Sequence, residues 1–172
     1  DAEISDFVLT QAVAGYRLDA DSLNLKATNK QIHVTGEARV NTVPARIEWT
    51  EKIKSKPSDN NEITTIINVS SEVDAAYLVA LHFDFLAKRI RGFVQADVTL
   101  SGTLNNFSLI EVSADLTKAK ASFSPINHMK QMGDAGMVKY RAEYDENRRI
   151  KAALIDINLP SFSTQIDMSY DG

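Results

Sequence analysis

Residues 32–50 read IHVTGEARVNTVPARIEWT, and this stretch decides the fold. Ile32, Val34, Gly36, Ala38 and Val40 alternate with His33, Thr35, Glu37 and Arg39. The parity resets after Asn41-Thr42. Val43, Ala45, Ile47 and Trp49 then alternate with Pro44, Arg46, Glu48 and Thr50. A period of two is the period of a β-strand, so each strand carries one apolar and one polar face. The two runs predict a hairpin.

The same pattern recurs outward from this stretch. Glu3 to Leu9, Tyr16 to Leu18, and Leu23 to Ala27 read as strand, with a turn at Thr28-Asn29-Lys30. Residues 56–61 form a polar loop of turn formers. Glu62 to Ser70 sets Ile63, Thr65, Ile67 and Val69 on one side. Phe93 to Leu104 places Val94, Ala96, Val98 and Leu100 in phase, and Phe107 to Thr117 does the same for Ile110, Val112, Ala114 and Leu116. Ser124 to Gly136 reads as irregular, with one short helical turn. Met137 to Tyr144 aligns Val138, Tyr140, Ala142 and Tyr144. Residues 145–147 form a hairpin turn. Ile150 to Leu159 changes parity near Ile155, which predicts a bulge there. Phe162, Thr164, Ile166, Met168 and Tyr170 complete the last strand. Leu23 to Val40 and Ile150 to Tyr170 share a loose pattern of strand, polar break, alternating strand; it is too weak to define a repeat.

One segment breaks the alternation. Val73, Tyr77, Leu81 and Phe85 stand four apart between Glu72 and Lys88, with Ala76 and Ala80 filling the stripe. Ser71, three residues before Asp74, supplies a capping signal. The spacing predicts one amphipathic helix, packed on the apolar face of the sheet. The expectation is a mostly β, single-domain chain over residues 1–172. It has about ten strands in one long antiparallel sheet, one apolar face, and one helix.

Bulk composition narrows the function classes. The chain has 172 residues, 44% of them hydrophobic and 24% charged, enough to bury a core. Its net charge of -4 and scattered bases argue against nucleic acid as partner. Cysteine is absent, so there is neither a disulfide framework nor a thiolate metal site. No apolar run reaches the length of a membrane-spanning helix. The chain starts at Asp1 and reads as strand almost at once, so a piece of a longer protein or a processed product is expected, with any membrane anchor outside it.

Motifs for catalysis are missing from the sequence. His33, His82 and His128 are far apart without metal-ligand spacing. The glycines are dispersed rather than gathered into a phosphate loop, and no nucleophile elbow surrounds a serine. Glu37, Glu48, Asp97 and Glu111 fall on polar strand faces, where solvation is the default. Residues 145–147 lack calcium-loop spacing. Asn68-Val-Ser70 and Asn106-Phe-Ser108 match the glycosylation pattern, a tripeptide common by chance. The expectation is no enzyme, no metal and no cofactor. Trp49 reads either as an anchor of the sheet's core or as part of a ligand groove, and both put it on the apolar face.

Three segments resemble the AsmA-like family, specifically its YhdP-type branch, which is related to TamB and other bridge-like lipid-transfer proteins. The hairpin at 32–51 resembles that family's strand, Gly, strand, Pro, Trp pattern through Gly36, Pro44 and Trp49. The strand pair from Arg91 to Leu104 follows a segment with Leu78 and Leu81. Most specific is ADLTKAKASFSPINHMKQMG at 114–133, which matches at Asp115, Leu116, Thr117, Ala119, Pro125, Lys130 and Gly133. It departs from the pattern by carrying His128 and Met129 where an aromatic precedes the Lys, and by one extra residue before Pro125.

The resemblance implies a curved, taco-like sheet whose apolar side is a groove for phospholipid acyl chains. Its lining would be Val34, Val40, Ile47, Trp49, Ile67, Val98, Val112, Tyr140 and Ile166. It further implies periplasmic localisation, tethering to the inner membrane of a Gram-negative cell through an anchor outside this segment, and lipid passage between inner and outer membranes. About ten strands at ~4.8 Å span roughly 45 Å, one section of a longer conduit. The main alternative is a non-catalytic structural or interaction β-domain, a spacer or scaffold with a dry sandwich core. A hydrolase built from dispersed carboxylates is the weaker third.

Overall fold

The computed structural model describes residues 1–10, 16–53, 63–79, 87–104, 106–123 and 128–169. Its strands are β1 (Ala2–Leu9), β2 (Leu18–Ala27), β3 (Gln31–Val40), β4 (Val43–Lys52), β5 (Thr65–Asp74) and β6 (Ile90–Thr103). They continue as β7 (Asn106–Asp115), β8 (Ala119–Phe123), β9 (His128–Lys130), β10 (Met137–Tyr144), β11 (Ile150–Leu159) and β12 (Phe162–Ser169). Ten of them form one open path in the order β1-β2-β3-β4-β5-β6-β7-β10-β11-β12. Every pairing is antiparallel. β8 and β9 leave this path: β8 pairs with the first residues of β6, and β9 with β8. The long, mostly β antiparallel sheet that the alternation predicts is present.

Antiparallel neighbours need only tight turns, and the sequence supplies them. Asn41 and Thr42 both take positive φ, 47° and 82°, so the β3–β4 hairpin closes in two residues, the handedness such hairpins favour. Arg148, at φ 62°, closes the β10–β11 hairpin, where Asp145 accepts from the backbone N–H groups of Asn147 and Arg149.

The structure corrects the sequence reading in four places. Residues Glu72 to Asp74 are strand, not helix, because the β5 ladder with β6 continues through Val73↔Val94 and Asp74↔Phe93. A spacing of four is even, so Val69 and Val73 satisfy a period of two as well as a helical stripe. The described helical parts are a 3-10 turn, Ala75–Val79, and a helical residue at Ala87; the turn is capped by Asp74 through the Ala76 N–H, while the Ser71 hydroxyl donates to the Pro44 carbonyl instead. Tyr77 on that turn is 48% exposed rather than packed on the sheet, and Leu81 and Phe85 lie outside the described residues.

The predicted bulge near Ile155 lies instead at the start of β11. Glu143 pairs with Ala152 and Tyr144 with Ile150, which leaves Lys151 out of the ladder. β2 is one strand with an irregularity between Asp19 and Asn24, which lets Ala20 and Leu23 both be buried despite opposite parity. The fourth correction is β8 and β9, which stand where no strand, or only irregular chain, was expected. β8 is read in hindsight from Lys118-Ala119-Lys120-Ala121, a short alternation of exposed Lys and fully buried Ala.

Candidate functional site

The candidate site is the apolar face of the ten-strand path, and strand register assembles it. One row of cross-strand neighbours runs Leu25, Val34, Trp49, Ile67, Leu100, Ile110, Ala142, Ala153 and Met168 from β2 to β12. The next row runs Gly36, Ile47, Val69, Val98, Val112, Tyr140, Ile155 and Ile166 from β3 to β12. All nine residues predicted to line the face share it, because side chains of matched register point to one side. Val34, Trp49 and Ile67 fall in the first row. Ile47, Val98, Val112, Tyr140 and Ile166 fall in the second, and Val40 pairs with Val43 at one edge.

Val69, Leu100, Ile110, Ile155 and Met168 belong to the same rows but were not among the predicted lining residues. All but Ile155 were already in the predicted phase. Ile155 was obscured by the misplaced bulge.

Burial along the face is uneven. At the edge of Val43, Val73, Val94, Leu116 and Leu159, the side chains are buried in one cluster with Ala75, Ile90, Ala119 and Ala121. The 3-10 turn, the start of β6 and the β8–β9 pair thus form a cap over this lip. In the second row Val69, Val98, Val112, Tyr140 and Ile155 are only half-buried and Ile166 is 44% exposed, whereas Leu100, Ala142 and Ala153 of the first row are buried. On the β1–β4 flank a second cluster buries Ala20, Leu23, Val34, Ala38 and Ile47. Trp49 packs against this cluster, and its indole N–H is buried with no acceptor among the described residues.

Polar groups gather at the lips. Opposite the cap, Glu51 accepts a hydrogen bond from the hydroxyl of fully buried Thr65. Inside the cap, Lys130 is 1% exposed, and its ammonium donates to the carbonyls of Ala119 at 2.9 Å and Gln131 at 3.0 Å. Burial holds its pKa below the usual lysine value, with Asp134 and Asp115 opposing that shift. Asp115 is held below the usual carboxylate range by hydrogen bonds from the Thr117 hydroxyl and backbone N–H.

The other face of the sheet is polar. Two shallow depressions, about 310 and 380 Å³, open there, the first among Asp97, Glu111, Lys139 and Arg141. Arg141 donates to Glu111 at 2.9 Å and Glu143 at 3.1 Å, and Ser70 donates to Asp97. His33 shares a hydrogen bond with Thr50 and lies 3.8 Å from Glu48. Acids and bases alternate in this grid and neutralise one another, as a solvated face does. Among the described residues no three His, Cys, Asp or Glu side chains gather in a way that could hold a metal ion. None of the described helices is long and apolar enough to cross a membrane. No family model matches the chain, and comparison with curated proteins and with solved structures gave no match.

Proposed function

We propose that this chain is a segment of a bridge-like lipid-transfer protein of the AsmA-like, YhdP-type kind. It binds phospholipid acyl chains on the apolar face and passes them between inner and outer membranes, without covalent chemistry. In this reading it works in the periplasm, with the inner-membrane anchor elsewhere in the protein. The observation that carries the reading is the two unbroken apolar rows, the second of which keeps its middle members, Val69 to Ile155, half-buried. Ten strands at ~4.8 Å make a track of about 43 Å. Apolar surface returns about 25 cal/mol per Å² on leaving water, and contiguous exposed patches above a few hundred Å² mark binding surfaces. An acyl chain satisfies such a face without contacts specific to any one residue.

The test is uptake of a fluorescent fatty acid by the delipidated chain in solution. Saturable uptake, displaced by phospholipid, is the expected result; fluorescence no higher than with an inert protein would contradict the reading. The structural β-domain alternative draws support from the β1–β4 flank, where Leu23, Val34 and Ile47 already form a closed core. A chain that melts cooperatively but takes up no acyl probe would favour it.

A further inference from the structure

The outer side of the cap carries a feature that lipid binding on the apolar face leaves unused. Register defines it. Ala119 and Ala121 of β8 point inward, as does Lys130 of β9. Arg91 stands directly opposite Lys120 on the other side, and Ser122 opposite Met129. Lys120 and Arg91 are exposed, and Met129 and Met132 are 54% and 62% exposed.

Two like charges facing each other across a ladder cost stability. Neither has a carboxylate partner among the described residues. The Arg91 guanidinium donates only to the carbonyls of Ala87 and Ile90. The nearby acids are engaged elsewhere: Glu72 with Lys118, Asp115 with Thr117, and Asp134 with the Gln131 backbone N–H. In a chain of net charge -4, this small sheet face sets two cations without a carboxylate partner among the described residues beside exposed Met129, with exposed Met132 on the turn that follows β9.

We propose that this outer cap face is a docking surface for an anionic lipid bilayer, with Arg91 and Lys120 on headgroup phosphates and Met129 and Met132 in the acyl boundary. Charge complementarity calls for an anion. The adjoining methionines select an interface with an apolar layer directly beneath its charges. The inner side of the same three strands forms one lip of the apolar face, so docking here brings that lip to the membrane. The choice of a bilayer over another polyanion rests on the lipid-transfer reading.

The test is co-sedimentation with vesicles of phosphatidylcholine alone and of phosphatidylcholine with 30% phosphatidylglycerol, at low and high salt. Binding should need the anionic lipid and weaken with salt. Removing Arg91 and Lys120 together (Arg91→Gln with Lys120→Gln) should weaken it about 25-fold, since each base near an anionic surface contributes about fivefold. Met129→Ser with Met132→Ser should weaken it independently of salt. Lys26→Gln with Lys52→Gln, equal charge removed at the opposite lip, should leave it within about twofold.

Equal loss in that control, or no binding to anionic vesicles, would overturn the proposal. So would polyphosphate binding as tight as vesicle binding and indifferent to the methionine changes. Uptake of the fluorescent fatty acid, measured without vesicles on the same variants, separates the two claims. Normal uptake with lost sedimentation supports docking. Lost uptake in the unmodified chain counts against lipid transfer alone.

Discussion

Val94 and Val98 lie on one strand and one face, four residues apart, and a glutamate at each reports opposite things. Val94 is 5% exposed and sits beneath the cap in the cluster with Val73 and Leu116. A carboxylate there is shut off from water, and an unpaired buried charge costs about 3–5 kcal/mol. Val98 is half-buried in the middle of the second row, between Val69 and Val112. Its carboxylate can turn to water, so the loss is only the buried part of a valine, about 1 kcal/mol. For a domain of this size each kcal/mol moves Tm by about 2–4 °C. Val94→Glu should therefore lower Tm by about 6–20 °C, and Val98→Glu by about 2–4 °C. Circular dichroism melts measure both, and uptake of the acyl probe should fall in Val98→Glu while the fold persists. A collapse of Val98→Glu as deep as that of Val94→Glu would refute the reasoning, because the middle of the face would then be a dry core.

Three further outcomes follow from individual contacts. Gly102→Ala should destabilise by about 3 kcal/mol in urea unfolding, since its Cβ would stand 2.4 Å from the backbone oxygen of Asn106, which cannot swing aside. Lys130 has a lowered folded pKa, so between that value and the unfolded 10.5 the folded chain binds fewer protons; stability should rise with pH there, and Lys130→Met should abolish the rise. Asp115 has a lowered folded pKa, so its contribution is complete above about 3.8 and is lost as pH falls toward the folded value; Asp115→Asn should flatten that part of an acid-unfolding curve.

The face was legible in the sequence because β-pattern is local. Residues 32–50 announce hairpin, register and apolar side through alternation alone, and a register of antiparallel neighbours propagates that side across the sheet. The cap was not legible, for two physical reasons. Val69 and Val73 fit two periodicities at once, and only their ladder partners Val98 and Val94 decide between them. β8 and β9 are too short for a pattern to rise above chance, and they are fixed by tertiary contacts: Ala119 and Ala121 against the end row, and Lys130 against two carbonyls. The docking surface was hidden for the same reason, since Arg91 and Lys120 are 29 positions apart in the chain and meet only through β6–β8 pairing. Local alternation also misplaced the β11 bulge, because Leu154 is apolar yet points to the polar face, where it borders the first depression.

Native mass spectrometry of the chain after gentle extraction from cells tests the central claim most directly. The account predicts adducts of phospholipid mass that are released on activation and diminished in folded Val98→Glu. A chain that flies without lipid, and stays lipid-free after incubation with phospholipid vesicles, would contradict it.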